Sequence, residues 1–372
     1  MTRLSLGEEA AVAAARVVRS GWLAMGREVA ALEQGLRSAL GAREVVAVSS
    51  GTAGLHLALH VLGLGAGDEV LCPSLSFVAS ANAILHAGAT PVFVEVEPRS
   101  FNLDPDDLER ARTPRTRAIL VVHQLGLPAD LDPILAFAER TGLAVVEDAA
   151  CALGARYRGR AIGGPGGGRL AVFSFHPRKL ITTGEGGAIS TEDPALAERL
   201  RLLRAQGITI PETARHPATG EPLEEEIPEV GYNYRMTDLQ AAIGLPQLAR
   251  LGELLARRRA LARRYDAALA GAPGIVTPLE PAGCEHAFQS YMVRLEGPWS
   301  RREVMVRLLE RGIATRRAVT AIHELAAYRG RSTRALPVTE AVARCGLILP
   351  LFPDLTDAEQ DEVVAALLDA CR

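Results

Sequence analysis

The stretch AVFSFHPRKLITTGEGG, Ala171 to Gly187, decides how this chain is read. An apolar run at 170–175 has the composition of a buried strand and carries Ser174 near its end. His176, Pro177 and Arg178 break the run, and Lys179 follows, just ahead of a glycine-rich turn. An amine beyond a buried strand, beside a hydroxyl and next to backbone without side chains, is placed to attack a carbonyl carbon. The same window also fits an ordinary surface lysine after a strand. Sequence upstream has to separate the two.

Working outward, seven β-rich runs alternate with helical patterns. They are EVVAVSS (44–50), DEVLCPS (68–74), TPVFVEV (90–96), TRAILVVHQLG (116–126), LAVVEDAA (143–150), LAVFSFH (170–176) and GGAISTE (186–192). This alternation predicts an α/β fold: a seven-stranded, mostly parallel sheet flanked by helices. It stops near Leu200. Segment 208–229 is polar and proline-bearing and reads as an exposed loop or flap, and 237–269 reads as a long helical region. Its basic cluster, Arg257 to Arg259, is interleaved with leucines and acids, which predicts a solvated helix face rather than a nucleic-acid contact. From about Gly274, a strand at 289–295 and helices at 301–311 and 357–368 predict a smaller α+β unit. The expected division is a large domain at 1–245 and a small C-terminal domain at 246–372. The N-terminal helix is a candidate to pack on the small one.

Composition narrows the class further. With 372 residues, 48% hydrophobic and 23% charged, the chain has room for two domains around a large core. A formal net charge of −3 argues against nucleic acid or an anionic membrane as partner. Cysteines 72, 151, 284, 345 and 371 are odd in number and widely spaced, which argues against a disulfide framework and against a zinc site. The N-terminus is too charged and helical for a signal peptide, and no window has the ~18 apolar residues of a spanning helix. A cytoplasmic protein is expected.

Three strand ends carry chemistry. In SSGTAGLHLAL (49–59) a strand runs into small hydroxyl residues and glycine, then a helix, with Ser50 or Thr52 able to cap it. Such a turn suits a phosphate. In VVEDAACALGA (145–155) an apolar strand delivers Asp148 at its carboxyl end, as a partner for a heterocyclic nitrogen or as a helix cap. Lys179 follows 31 residues later, and Ser174 can offer its hydroxyl to a phosphate. Phosphate turn, acid and lysine at the strand ends of one sheet match what pyridoxal phosphate requires: a lysine for the Schiff base and a carboxylate for the ring nitrogen. Phe77, in PSLSFVASANAI, is the candidate to cover the ring.

Taken in order, SGTAGLHLAL, PSLSFVASANAI, VEDAACALGA, FSFHPRKLITTGEGG and GYNYRMTDLQAAIGLPQL resemble the DegT/DnrJ/EryC1/StrS aminotransferases, the sugar aminotransferases of pyridoxal-phosphate fold type I. The resemblance runs from about Ser20 to LPLFPDLTDAEQDEVVAAL near the C-terminus. It implies that Lys179 forms the Schiff base and shuttles protons, that Asp148 pairs with the pyridinium nitrogen, and that Phe77 stacks on the ring. It implies that Gly51, Thr52, Ala53 and Ser174 hold the phosphate. Asn233 would reach the cofactor phosphate of a neighbouring subunit, which implies a homodimer. His123 and Gln124 would lie near the sugar or the cofactor. Trp22, the flap at 208–229 and segment 315–328 would line the pocket, with Arg316 and Arg317 either on a sugar-nucleotide diphosphate or on the surface.

Two departures stand out. Cys151 occupies a place where such proteins often carry glutamine or histidine near the cofactor's phenolic oxygen, and a thiol is a weaker donor. They also commonly carry a longer N-terminal segment than the one seen here. The implied activity is transfer of an amino group, from L-glutamate, to a nucleotide-linked keto-deoxysugar. A keto-cyclitol is the alternative acceptor. A dehydratase is disfavoured because Lys179 is kept, and a non-catalytic regulator of the same fold is disfavoured by Lys179, Asp148 and Ser174 together.

Overall fold

The apolar, β-branched runs condense into one sheet in the computed structural model, which describes residues 6–210, 224–331 and 334–372. Its strands are β1 (Glu44–Val48), β2 (Glu69–Pro73), β3 (Thr90–Val94), β4 (Thr116–Val122), β5 (Ala144–Asp148), β6 (Leu170–Ser174) and β7 (Gly187–Thr191). Their order is β1-β7-β6-β5-β4-β2-β3. Strands β2 to β6 pair in parallel, and β7 alone runs the other way, antiparallel to both β6 and β1. Every residue of β2 and β7 is buried, as expected of strands covered on both faces.

The run expected as a strand to 126 ends at Val122. Leu125 (φ 56°) and Gly126 (φ 102°) turn the chain there, and 124–126 forms a short 3-10 turn. Helices α1 (Glu8–Ser20), α2 (Arg27–Leu40), α3 (Gly51–Val61) and α4 (Ala79–His86) follow the expected pattern. Helix α3 lies close on the sheet because Gly54 has no Cβ. One built there would stand 2.7 Å from Val172 Cγ1 and 3.3 Å from Val48 Cγ2.

The region 237–269 is two helices, Asp238–Ala249 and Leu251–Leu269, separated at Arg250 one turn after Pro246, which cannot donate a backbone hydrogen bond. Thr237 and Gln240 form a capping box at the start of the first. Both α1 and α2 pack on this helix. Asp238 Oδ1 accepts from the N–H groups of Gly26 (2.8 Å) and Val29 (3.0 Å), which fixes the start of α2. A separate apolar core begins at Leu261 and gathers residues from Tyr291–Leu295, Arg301–Glu310 and Asp357–Ala370. It is roofed by a four-stranded antiparallel sheet that includes Arg316–Arg317 and Gly346–Leu349. Helix Asp238–Ala249 crosses position 245, and we propose that the division between the two units falls within Leu251–Leu269 instead. Of the flap at 208–229, residues 211–223 lie outside the described residues; beside them, Thr209 N–H donates to Glu226 O (3.1 Å). No helix among the described residues is long and apolar enough to cross a membrane.

Candidate active site

Lys179 stands beyond the end of β6, on a turn closed by its own N–H bonding to His176 O (2.8 Å). It is the only lysine in the chain, against 41 lysines and arginines together. That signal was available in the sequence. Arginine supplies every other fixed basic side chain, and a guanidinium cannot be deprotonated to attack a carbonyl, so a lone lysine singles out Lys179 as the candidate amine. The side chain is half-buried, and its Nζ donates to Cys151 Sγ at 3.2 Å. Cys151 lies in the turn after β5, three residues past Asp148.

Asp148 ends β5 and is 6% exposed. Its Oδ2 accepts from Ser80 Oγ (2.7 Å) and its Oδ1 from Ala150 N–H (3.2 Å). Asp148 is in register with Val172 of β6, so Asp148 and Ser174 share one face of the sheet. Helix α3 starts on that face. Ser50 caps it, accepting from Ala53 N–H at 3.1 Å, so the first amides at Gly51 and Thr52, which have no intrahelical acceptor, stand at the carboxyl edge of the sheet. A Cβ at Gly51 would lie 2.9 Å from Ser174 Cβ and 3.3 Å from its Oγ, so helix start and serine are in contact. Ala53 contributes through its backbone, already engaged by Ser50.

Phe77 leads into α4, three residues before Ser80, and its ring is 73% exposed. A face that open is available to a planar ligand. Lys179, Cys151, Asp148, Ser80 and Phe77 are thus linked by contact or by short sequence distance, and Ser174, Gly51 and Thr52 stand on the same sheet face.

Two expected neighbours adjoin these residues but turn their side chains to partners inside the protein. His123 is fully buried: its Nδ1 accepts from Ala129 N–H (3.0 Å) and its Nε2 donates to Glu147 Oε2 (2.7 Å). Glu147 alternates with Asp148 on β5, so this pair occupies the opposite face of the sheet. Gln124 is buried as well, its side-chain amide on Leu75 O and its N–H on Asn102 Oδ1 (2.8 Å). Both are structural fasteners that the strand-end position did not betray.

The two arginines part company. Arg316 and Arg317 alternate on a short strand paired with Gly346–Leu349. Arg316 lines a cleft of about 400 Å³ together with His176, Arg178, Gln289 and Ser290, across from the turn that precedes Lys179. Burial, then neighbouring Arg178, pushes its guanidinium below the ordinary arginine value, while Cys151 acts in the opposite sense. Thr315 adds a buried hydroxyl oxygen without a partner among the described residues. Arg317 is exposed, and its charge is felt by Arg301. Trp22 is 38% exposed, with its indole against Gly26, apart from the cleft. Asn233 is exposed on an extended segment bridged to Ala205.

These residues fit pyridoxal phosphate. A Cβ at Gly51 would fill the space between the helix start and Ser174, the donor set there suits a phosphate, and a buried carboxylate and an amine are the two groups that a pyridine nitrogen and an aldehyde would call for. Comparison with known proteins agrees. The model of the DegT/DnrJ/EryC1/StrS aminotransferase family matches residues 5–368. DesV of S. venezuelae, solved in complex with a ketimine intermediate, is 40% identical, with 98% of this chain and 95% of that chain covered and a TM-score of 0.89. Spr1654 from Streptococcus pneumoniae, solved in a PLP-form, is 30% identical over 98% of this chain and 96% of that one, at a TM-score of 0.90. DesI, solved in the presence of its TDP-sugar product, is 33% identical over 100% and 92%, at a TM-score of 0.89.

Proposed function

Because the chain belongs to the DegT/DnrJ/EryC1/StrS aminotransferase family, a pyridoxal-phosphate family, we propose that it moves an amino group from L-glutamate to the keto group of a nucleotide-linked deoxysugar. The observation that carries this reading is the single lysine of the chain, held beside Cys151 at the carboxyl edge of the sheet, with the buried carboxylate of Asp148 three residues from that cysteine. The nucleotide-sugar acceptor is supported by the TDP-sugar product of DesI.

When bound, pyridoxal phosphate supplies an aldehyde that holds nitrogen and a ring that takes up an electron pair. Lys179 would hold that aldehyde through Nζ and, with the same amine free, would carry the proton that amino transfer requires. Asp148 holds the proton on the ring nitrogen. The amides of Gly51 and Thr52 with the Ser174 hydroxyl bind the phosphate. Phe77 covers the ring and excludes water from one side. Arg316 takes an anionic group of a substrate, since no carboxylate of the described residues pairs with it in the salt bridges. Asn233 of the partner subunit would complete the phosphate site in a homodimer, consistent with its exposed position.

The test follows the bound cofactor by absorbance. L-Glutamate should bleach the aldehyde form at one equivalent per chain, and a panel of nucleotide keto-sugars and keto-cyclitols should then be offered. Recovery with a nucleotide keto-sugar alone supports the proposal. Recovery with a keto-cyclitol alone transfers the assignment to that acceptor, and no bleaching with glutamate refutes the donor.

A further inference from the structure

Three buried side chains form one hydrogen-bonded line that ends on Asp148. Ser76 Oγ and Ser80 Oγ lie 2.8 Å apart, and Ser80 Oγ lies 2.7 Å from Asp148 Oδ2. The two serines are 1% and 0% exposed. A carboxylate can only accept, so Ser80 donates to Asp148. Its one proton is then spent, and Ser80 must accept from Ser76. The direction of the line is fixed.

The loop that carries Ser76 is held from the C-terminal unit. Ser76 N–H donates to Thr320 O (3.2 Å), Ile322 N–H donates to Ser74 O (2.8 Å), and His323 N–H donates to Ser74 Oγ (3.1 Å). The His323 ring adds Nδ1 at 2.6 Å from the same hydroxyl. The buried Ser80 hydroxyl, bonded on one side to Ser76 of the clamped loop and on the other to Asp148, leaves Asp148 little freedom to rotate.

We propose that Ser80 is a positioning residue for Asp148. Its hydroxyl, oriented by Ser76, occupies one side of Oδ2 and leaves the remaining lone pairs of the carboxylate directed at the ring nitrogen of pyridoxal phosphate. This rests on the reading of Asp148 given above.

The test is equilibrium binding to cofactor-free protein of two probes: pyridoxal 5'-phosphate, and its 1-deaza analogue, which has carbon in place of the ring nitrogen. Ser80→Ala should weaken pyridoxal phosphate binding about tenfold, the scale of one hydrogen bond to a charged group. Binding of the 1-deaza analogue should stay within about twofold. Ser80→Thr should restore the native value, and Ser76→Ala should produce the same selective loss in weaker form, which keeps the test open if Ser80→Ala does not fold. Equal weakening of both probes, or of neither, would overturn the proposal. Failure of the wild-type protein to bind pyridoxal phosphate would instead remove the reading of the site, and this proposal with it.

Discussion

The amine of Lys179 and the thiol of Cys151 lie 3.2 Å apart, and the chain contains no other side-chain amine. A group that reacts at Lys179 therefore brings the thiol within contact distance. Burial pushes the thiols of Cys284 and Cys345 up, which slows their alkylation. Iodoacetamide should alkylate Cys151 in the cofactor-free protein and should do so far more slowly, by about tenfold, once pyridoxal phosphate is bound. Peptide mass spectrometry reads both rates; equal rates would show that the thiol and the cofactor site are independent.

At the helix start proposed to hold the phosphate, Gly51 packs closely on Ser174. A methyl group there would stand 2.9 Å from Ser174 Cβ, and overpacking of this kind costs about 1–3 kcal/mol. Gly51→Ala should weaken pyridoxal phosphate by about tenfold or more while the far-ultraviolet dichroism stays native. Unchanged affinity would place the phosphate elsewhere.

The two arginines of one short strand should behave differently. Arg316→Ala should raise the KM of an anionic substrate by at least about tenfold, whereas Arg317→Ala, on the exposed side, should change it less than about twofold. Measuring the glutamate and keto-sugar half-reactions separately tells which substrate Arg316 holds. Equal effects of the two substitutions would mean that the cleft is not the anion site.

Acid should destabilise the fold through His56. Burial, then neighbouring His60 and His86, lowers its pKa from 6.5 to about 4, and its Nδ1 contacts Tyr234 OH at 3.1 Å. Between those values the unfolded chain binds a proton that the folded one does not. Stability is therefore level above pH 6.5 and falls as the pH drops toward 4, by about 2 kcal/mol at pH 5 from this group alone. His56→Gln should show a smaller loss of Tm between pH 7 and pH 5 than the wild type; an identical loss would assign the acid lability to other groups.

Most of the fold was legible because each strand of the sheet is a short apolar run ending in a turn, a local pattern that the parallel sheet preserves. The break at Arg250 was not, since a proline inside a helical pattern marks a weak point without saying where the helices separate. The gathering of Lys179, Asp148 and Ser174 at the carboxyl edge of one sheet was legible because each closes or follows a strand. His123 sits at such an end too, yet it points to the other face and spends both ring nitrogens on Ala129 and Glu147; strand-end position alone does not give the face. The serine line to Asp148 was hidden for a different reason. Ser76 and Ser80 lie in the block PSLSFVASANAI that drew attention to Phe77, and only the tertiary placement of this loop and of α4, which packs on α3, β2 and β3, brings them to the carboxylate.

The most direct measurement is borohydride reduction of the protein loaded with pyridoxal phosphate, followed by peptide mapping. With a single lysine in the chain, one pyridoxyl group per chain should be found on the peptide that carries Lys179, and Lys179→Ala should carry none and transfer no amino group. A label on the N-terminal amine instead, or amino transfer by Lys179→Ala at the wild-type rate, would contradict the assignment of Lys179 on which everything else depends.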